Sequence, residues 1–133
     1  MAKLTPWIRA AFVAGLGLYL LGVLLQTTLA GWALFASPGE DFEPHRLMGY
    51  LVHLGGIGVV PLGLLSRPGR PLLWWIIGFG VVVFFQPLLP VLRVDMPYVA
   101  ALHPVMAIVA FWLGWRIWSE TSGWLTKFGQ AES

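Results

Sequence analysis

The chain has 133 residues, of which 58% are hydrophobic and 11% charged, with no cysteine and a formal charge of +2. Its mean hydropathy is +0.78. A soluble domain carries about 25% charged residues, so an ordinary water-soluble fold and a disordered chain are both excluded, as are disulfides, cysteine-held metal centres and covalent c-type heme attachment. The charge is too small for a nucleic-acid partner.

Taken in chain order, the sequence predicts four membrane spans, each near the roughly 20 apolar residues a bilayer crossing needs. The first covers 10–36 and follows Lys3 and Arg9; it is longer than the about 7–15 residues of a signal-peptide core, so it reads as a retained helix. Gln26 lies towards its far end. A Ser-Pro-Gly-Glu-Asp loop follows, and Pro44 opens the second span, 46–66, which carries His53, with His45 and Arg46 at its entrance. The turn Ser66-Arg67-Pro68-Gly69-Arg70-Pro71 makes the second and third spans antiparallel neighbours. The third, 71–92, carries Gln86 and ends at Arg93. The fourth, 97–118, starts at Pro97 and carries His103. A polar tail with Trp124 follows. The fold class is therefore all-α, an integral membrane four-helix bundle forming a single domain over 1–133.

Orientation follows from the basic residues. Lys3, Arg9, Arg67, Arg70, Arg116 and Lys127 fall on one side, and Arg46 and Arg93 on the other. This places both termini in the cytoplasm of a multi-pass protein of the bacterial inner membrane. Trp7, Trp74, Trp75, Trp115 and Trp118 gather near the same interface.

The three histidines are the chemically distinctive residues, because ionisable groups inside a bilayer are costly and usually functional. At helical spacing, His45 is followed on its own face by Gly49, Val52 and Gly56, and His103 by Ala107, Ala110 and Gly114. His53 is followed by the bulky Ile57, Val60 and Leu64. A histidine above a stripe of small residues, on two helices, suits a flat plate held between imidazoles. Close helix packing explains the same stripes without a ligand. Imidazole is a standard axial ligand of heme iron, and heme b needs no cysteine. Depth favours another pairing. His53 and His103 lie at similar distances from the arginines that close their spans, and His45 lies about 12 Å further out at roughly 1.5 Å per residue. His45 with His103 is the preferred ligand pair, and His53 the alternative partner of His103. Arg46 and Arg93 stand where heme propionates would emerge. Gln26 and Gln86 are candidates for hydrogen bonds between helices. Glu43 is a solvated carboxylate or a partner of a ligating histidine.

The two halves of the chain are distantly alike. Each has a helix with a glutamine near its end, a connection, and a helix with a histidine near its start, entered through Pro44 or Pro97.

Glu43-Pro44-His45-Arg46-Leu47-Met48-Gly49 resembles the start of the second helix in a half-domain of heme A synthase. Ala101-Leu102-His103-Pro104-Val105-Met106-Ala107 resembles the histidine region of that domain's fourth helix. Both stretches are also similar to small four-helix bacterial membrane proteins with the same two histidines. The resemblance implies a heme flanked by His45 and His103. It does not carry over the synthase activity. This chain has one half rather than two, Phe42 where the pattern has glutamate, and no outer-loop cysteine.

The expected function is a b-type cytochrome with one bis-histidine heme, passing electrons as a subunit or partner of a larger redox complex, or as a homo-oligomer in the lipid bilayer. It is not expected to be a stand-alone enzyme. The alternative is a structural or assembly subunit without heme.

Overall fold

The computed structural model describes residues 4–36 and 42–126. Its helices are α1 (Thr5–Phe35), α2 (Glu43–Leu65), α3 (Arg70–Phe85), the short α4 (Pro97–Ala100) and α5 (His103–Thr121), with a 3₁₀ segment, Gln86–Arg93, between α3 and α4. Four stretches, Thr5–Phe35, Glu43–Leu65, Arg70–Arg93 and Pro97–Thr126, are long and apolar enough to cross a membrane. The chain thus has the build of a multi-pass membrane protein. In hydrocarbon every backbone polar group needs an internal partner, and helices supply one. Proline sits in the first turn of every element, where its missing N–H costs nothing.

The boundaries depart from the expected spans in three places. The first helix begins at Thr5, ahead of residue 10. Arg9 fits inside it because its Nε donates to the carbonyl of Ser66 at 3.1 Å and its guanidinium lies 4.7 Å from the Trp124 ring centre. The third span is apolar through 92, yet its α-helix stops at Phe85, because Pro87 and Pro90 lack the donors to extend it. The fourth is interrupted at Ala101 and Leu102, just before His103 and Pro104.

The long helices form a ring in which α1 packs on α2, α2 on α3, α3 on α5 and α5 on α1. Phe12, Leu16, Tyr19 and Val23 of α1 meet Val59, Ile76, Phe79, Val83, Leu113 and Ile117 in the centre. Leu18, Leu51 and Ile108 point outwards and are about two-thirds exposed, at 71%, 64% and 69%; lipid tails are their natural environment. The glycines let the helices close. A Cβ on Gly56 would lie 2.8 Å from both Tyr19 and Val83, and one on Gly63 would lie 2.7 Å from Phe12. Beside Gly114, the corresponding neighbours are Leu20 and Phe79. The small residues thus serve close packing at these levels, as in other membrane helix pairs.

At the end opposite the histidine pair described below, the hydroxyls of Ser66 and Thr121 are buried and donate to carbonyls of their own helices, Gly63 and Ile117. Arg116 pairs with Glu120 and lies 5.8 Å from the Trp75 ring centre, and Trp75 stands edge-on to Trp112. Arginine and tryptophan together are the usual residues of a membrane–water boundary.

Candidate functional site

The site is built twice. On α1, a glutamine faces a histidine at the start of α2. At the end of α3, a second glutamine faces a histidine at the start of α5. In the first pair the His45 Nδ1–H donates to the backbone carbonyl of Gln26 at 3.0 Å, and the Gln26 side-chain amide nitrogen stands 3.4 Å from His45 Nε2. In the second pair His103 Nδ1 lies 3.1 Å from the backbone carbonyl of Gln86, with the Gln86 amide nitrogen 3.0 Å from the same Nδ1 and 3.3 Å from Nε2. A backbone-carbonyl contact to Nδ1 and an amide contact to Nε2 recur in both halves, each at the start of a helix. The glutamines suggested by the internal likeness are therefore the partners of the histidines.

The chemistry of this arrangement is specific. A carbonyl oxygen only accepts, so the backbone contacts favour a proton on each Nδ1, while at His103 the Gln86 amide faces that same nitrogen as a donor. With the proton on Nδ1, each Nε2 is a free lone pair, the form in which imidazole binds a metal. A ligating histidine usually donates its other N–H to a carbonyl or carboxylate, and both rings have a carbonyl in place for it. The amide contacts to Nε2, at 3.3 and 3.4 Å, are longer than the usual range of about 2.7–3.2 Å. They are weak and displaceable.

The remaining predicted residues divide into two groups. Gly49 borders the site, since a Cβ there would lie 2.8 Å from the Gln26 amide nitrogen. Ala107, half-buried, holds the position on α5 that Gly49 holds on α2, one turn from the histidine. Gly56 faces the packed core, where Tyr19 and Val83 fill the space above it. Arg46 pairs with Glu43, so that carboxylate is engaged there, while His45 takes its acceptor from Gln26 and an edge-on contact from Phe42. Arg93 reaches the carbonyl of Pro90 at 3.5 Å. His53 has no part in either pair, and its Nδ1 is buried without a hydrogen-bond partner.

Gly49→Ala tests how closely the amide is fitted. The new methyl meets the free end of a flexible side chain rather than backbone, so the expected stability loss is below about 1 kcal/mol. The Gln26 amide should leave His45 Nε2, seen as loss of the amide–imidazole contact by NMR, with the Nδ1–H bond retained.

Among the described residues no group of three or more His, Asp or Glu side chains converges on one point. Two imidazoles are a sparse set for a bare metal ion. Two imidazoles suffice in general where an iron already has four porphyrin nitrogens. Two shallow apolar grooves, of about 290 Å³ between α1 and α2 and about 450 Å³ between α2 and α3, are lined by no histidine.

The profile of a protein family described as a family of unknown function (DUF6220) matches residues 26–91. The matched stretch begins at Gln26, includes His45, and reaches Gln86 and Pro90. Neither the curated proteins nor the solved structures include a match to this chain.

Proposed function

We propose that the chain is a membrane b-type cytochrome in which Nε2 of His45 and Nε2 of His103 hold one heme b. The observation that carries this reading is the repeated Gln–His arrangement, which gives each of two imidazoles, both at the start of a span, a backbone carbonyl at Nδ1. When bound, heme b would supply a one-electron iron couple, with His45 and His103 as the residues that would hold it.

The chain's own residues would do the rest. The carbonyls of Gln26 and Gln86 hold the Nδ1 protons, fix both rings, and strengthen the Nε2 donors. The amides of the same glutamines would have to leave Nε2 for the metal to bind there. Arg46 and Arg93, on the segments that flank the site, would meet propionates. Gly56 is left out of the proposed site, because the core fills the space it provides. On this reading the Arg9–Ser66 end, the more basic one, would face the cytoplasm of a bacterial inner membrane. A single heme at one end cannot move electrons across the ~30 Å core. This argues for a second carrier in a partner subunit.

A second reading has its own support. The amides rest on the Nε2 atoms and the stripes are filled by protein side chains. On that basis the two pairs would be hydrogen-bonded pins in a structural or assembly subunit.

An optical spectrum separates the two. Protein purified in detergent from heme-supplied cells is expected to be coloured, with the sharp visible bands of a low-spin heme on reduction and one heme per chain by extraction. Colourless, folded protein from such cells would sink the cytochrome reading and leave the pins.

A further inference from the structure

Four described arginines stand at the end of the bundle opposite the histidine pair, and they are not alike. Arg9 donates to the Ser66 carbonyl and faces the Trp124 ring. Arg116 pairs with Glu120 and lies beside Trp75. Arg67 and Arg70, in the turn between α2 and α3, are exposed, and their side chains make no ion pair or hydrogen bond among the described residues. Glu120, the acid at this end among the described residues, is already taken. Arg67 has a φ of 57°, the left-handed region that glycine or asparagine occupies at less cost. The backbone alone would favour glycine there, and the sequence has a cation. Below the turn the surface is graded. Arg70, Trp74, Ile77, Val81 and Phe84 follow at helical spacing on one face of α3. Trp74 is 67% exposed, an amphipathic ring of the kind that sits at headgroup level. Ile77, Val81 and Phe84 line the groove of about 450 Å³, with Ile57, Val60 and Pro61 opposite on α2. At roughly 1.5 Å per residue the groove starts about 10 Å from the arginines and ends about 21 Å away.

Uncompensated charge, then an interfacial ring, then an apolar trough match a phospholipid's phosphate, glycerol and acyl chain in order. We propose that the α2–α3 hairpin binds one anionic phospholipid, with its phosphate between Arg67 and Arg70, its glycerol beside Trp74 and one acyl chain in the groove. Guanidinium groups suit this ligand because their planar donors bind phosphate oxygens in pairs. Lipid tails alone would fill the groove without preference, and the two arginines add selection by headgroup charge. A zwitterionic headgroup brings its own cation to an end that already has an excess of positive charge. The site is remote from the histidines and stands whether or not the chain carries heme.

The test uses the full chain, purified in detergent and freed of lipid, then titrated with phosphatidylglycerol or with phosphatidylcholine of the same acyl chains. Native mass spectrometry counts the bound lipid. One phosphatidylglycerol per chain is expected, held about thirtyfold more tightly than phosphatidylcholine, or roughly fivefold per arginine. Arg67→Gln combined with Arg70→Gln should remove that preference. Arg116→Gln should leave it nearly intact, because Glu120 already offsets that charge. Val81→Trp fills the groove from a position 52% exposed, and should weaken both lipids alike. Glycerol phosphate, a headgroup without chains, should not displace the lipid. Equal binding of the two lipids, or a preference that survives the double substitution, would overturn the proposal. So would a preference that Arg116→Gln abolishes as fully, since the basic end would then attract anionic lipid without a site. Displacement by glycerol phosphate, or unchanged affinity in Val81→Trp, would take the acyl chain out of the groove and overturn it too. If the double variant loses its helical circular dichroism, Arg70→Gln is read alone: a loss of about fivefold supports the site, and no loss overturns it.

Discussion

His103→Ala is expected to abolish the reduced heme bands, His45→Ala to do the same, and His53→Ala to keep them. The size of the effect follows from the donor set. In the proposed site each imidazole would supply one of only two protein bonds to the iron, and no group of three or more His, Asp or Glu side chains converges on one point among the described residues. His53 differs because its Nδ1 finds no carbonyl, so its ring lacks the backbone partner that marks the other two. The helical content should be unchanged in all three variants by circular dichroism, since His45 and His103 lie at helix starts, His53 lies within α2, and none of the three belongs to the packed hydrophobic cluster. A full spectrum in His45→Ala together with a lost one in His53→Ala would move the second ligand to His53.

Phe79→Ala is expected to cost about 3–4 kcal/mol of stability, within the usual range for deleting a buried aromatic ring. The ring is 1% exposed, stands edge-on to Tyr19 at 5.0 Å between centres, and lies against Gly114. In a bilayer the loss comes from dispersion contacts and the cavity left between helices, because lipid is as apolar as the ring itself. Leu18→Ala, on the lipid-facing side of α1 and 71% exposed, should cost well under 1 kcal/mol by the same reasoning. Reversible denaturation in mixed detergent micelles measures both. A cost below about 1 kcal/mol for Phe79→Ala would mean that the central packing contributes little.

Much of this was legible in the sequence. Charge-free runs between arginines marked the spans, since burying charge in hydrocarbon is costly wherever it occurs. Gln26 and Gln86 stood at matching places in the two halves, and the structure makes them partners of His45 and His103. The role of the small residues was not legible. Helical spacing puts Gly49, Gly56 and Gly63 on one side of α2, but not what fills the space beside them. A glutamine amide stands over the first, Tyr19 and Val83 over the second, and Phe12 and Ile76 over the third. Hydropathy also carried the third span smoothly past Gln86, where the backbone changes winding. The readable signal lay in two prolines rather than in apolarity: Pro87 and Pro90 lack the N–H groups that would continue the α-helix past Phe85. The break at Ala101 and Leu102 was likewise hidden, because both residues suit a helix.

Arg9 bears on the order in which the molecule comes together. It enters the membrane region with the first helix, yet its two partners, the Ser66 carbonyl and the Trp124 ring, lie at the end of the second helix and beyond the last. A ribosome delivers them in that sequence. Until residue 66 has emerged the guanidinium has no carbonyl, and until residue 124 has emerged its aromatic face stays open. The arginine therefore records progress of synthesis, and its environment becomes complete only once all four crossings have been made.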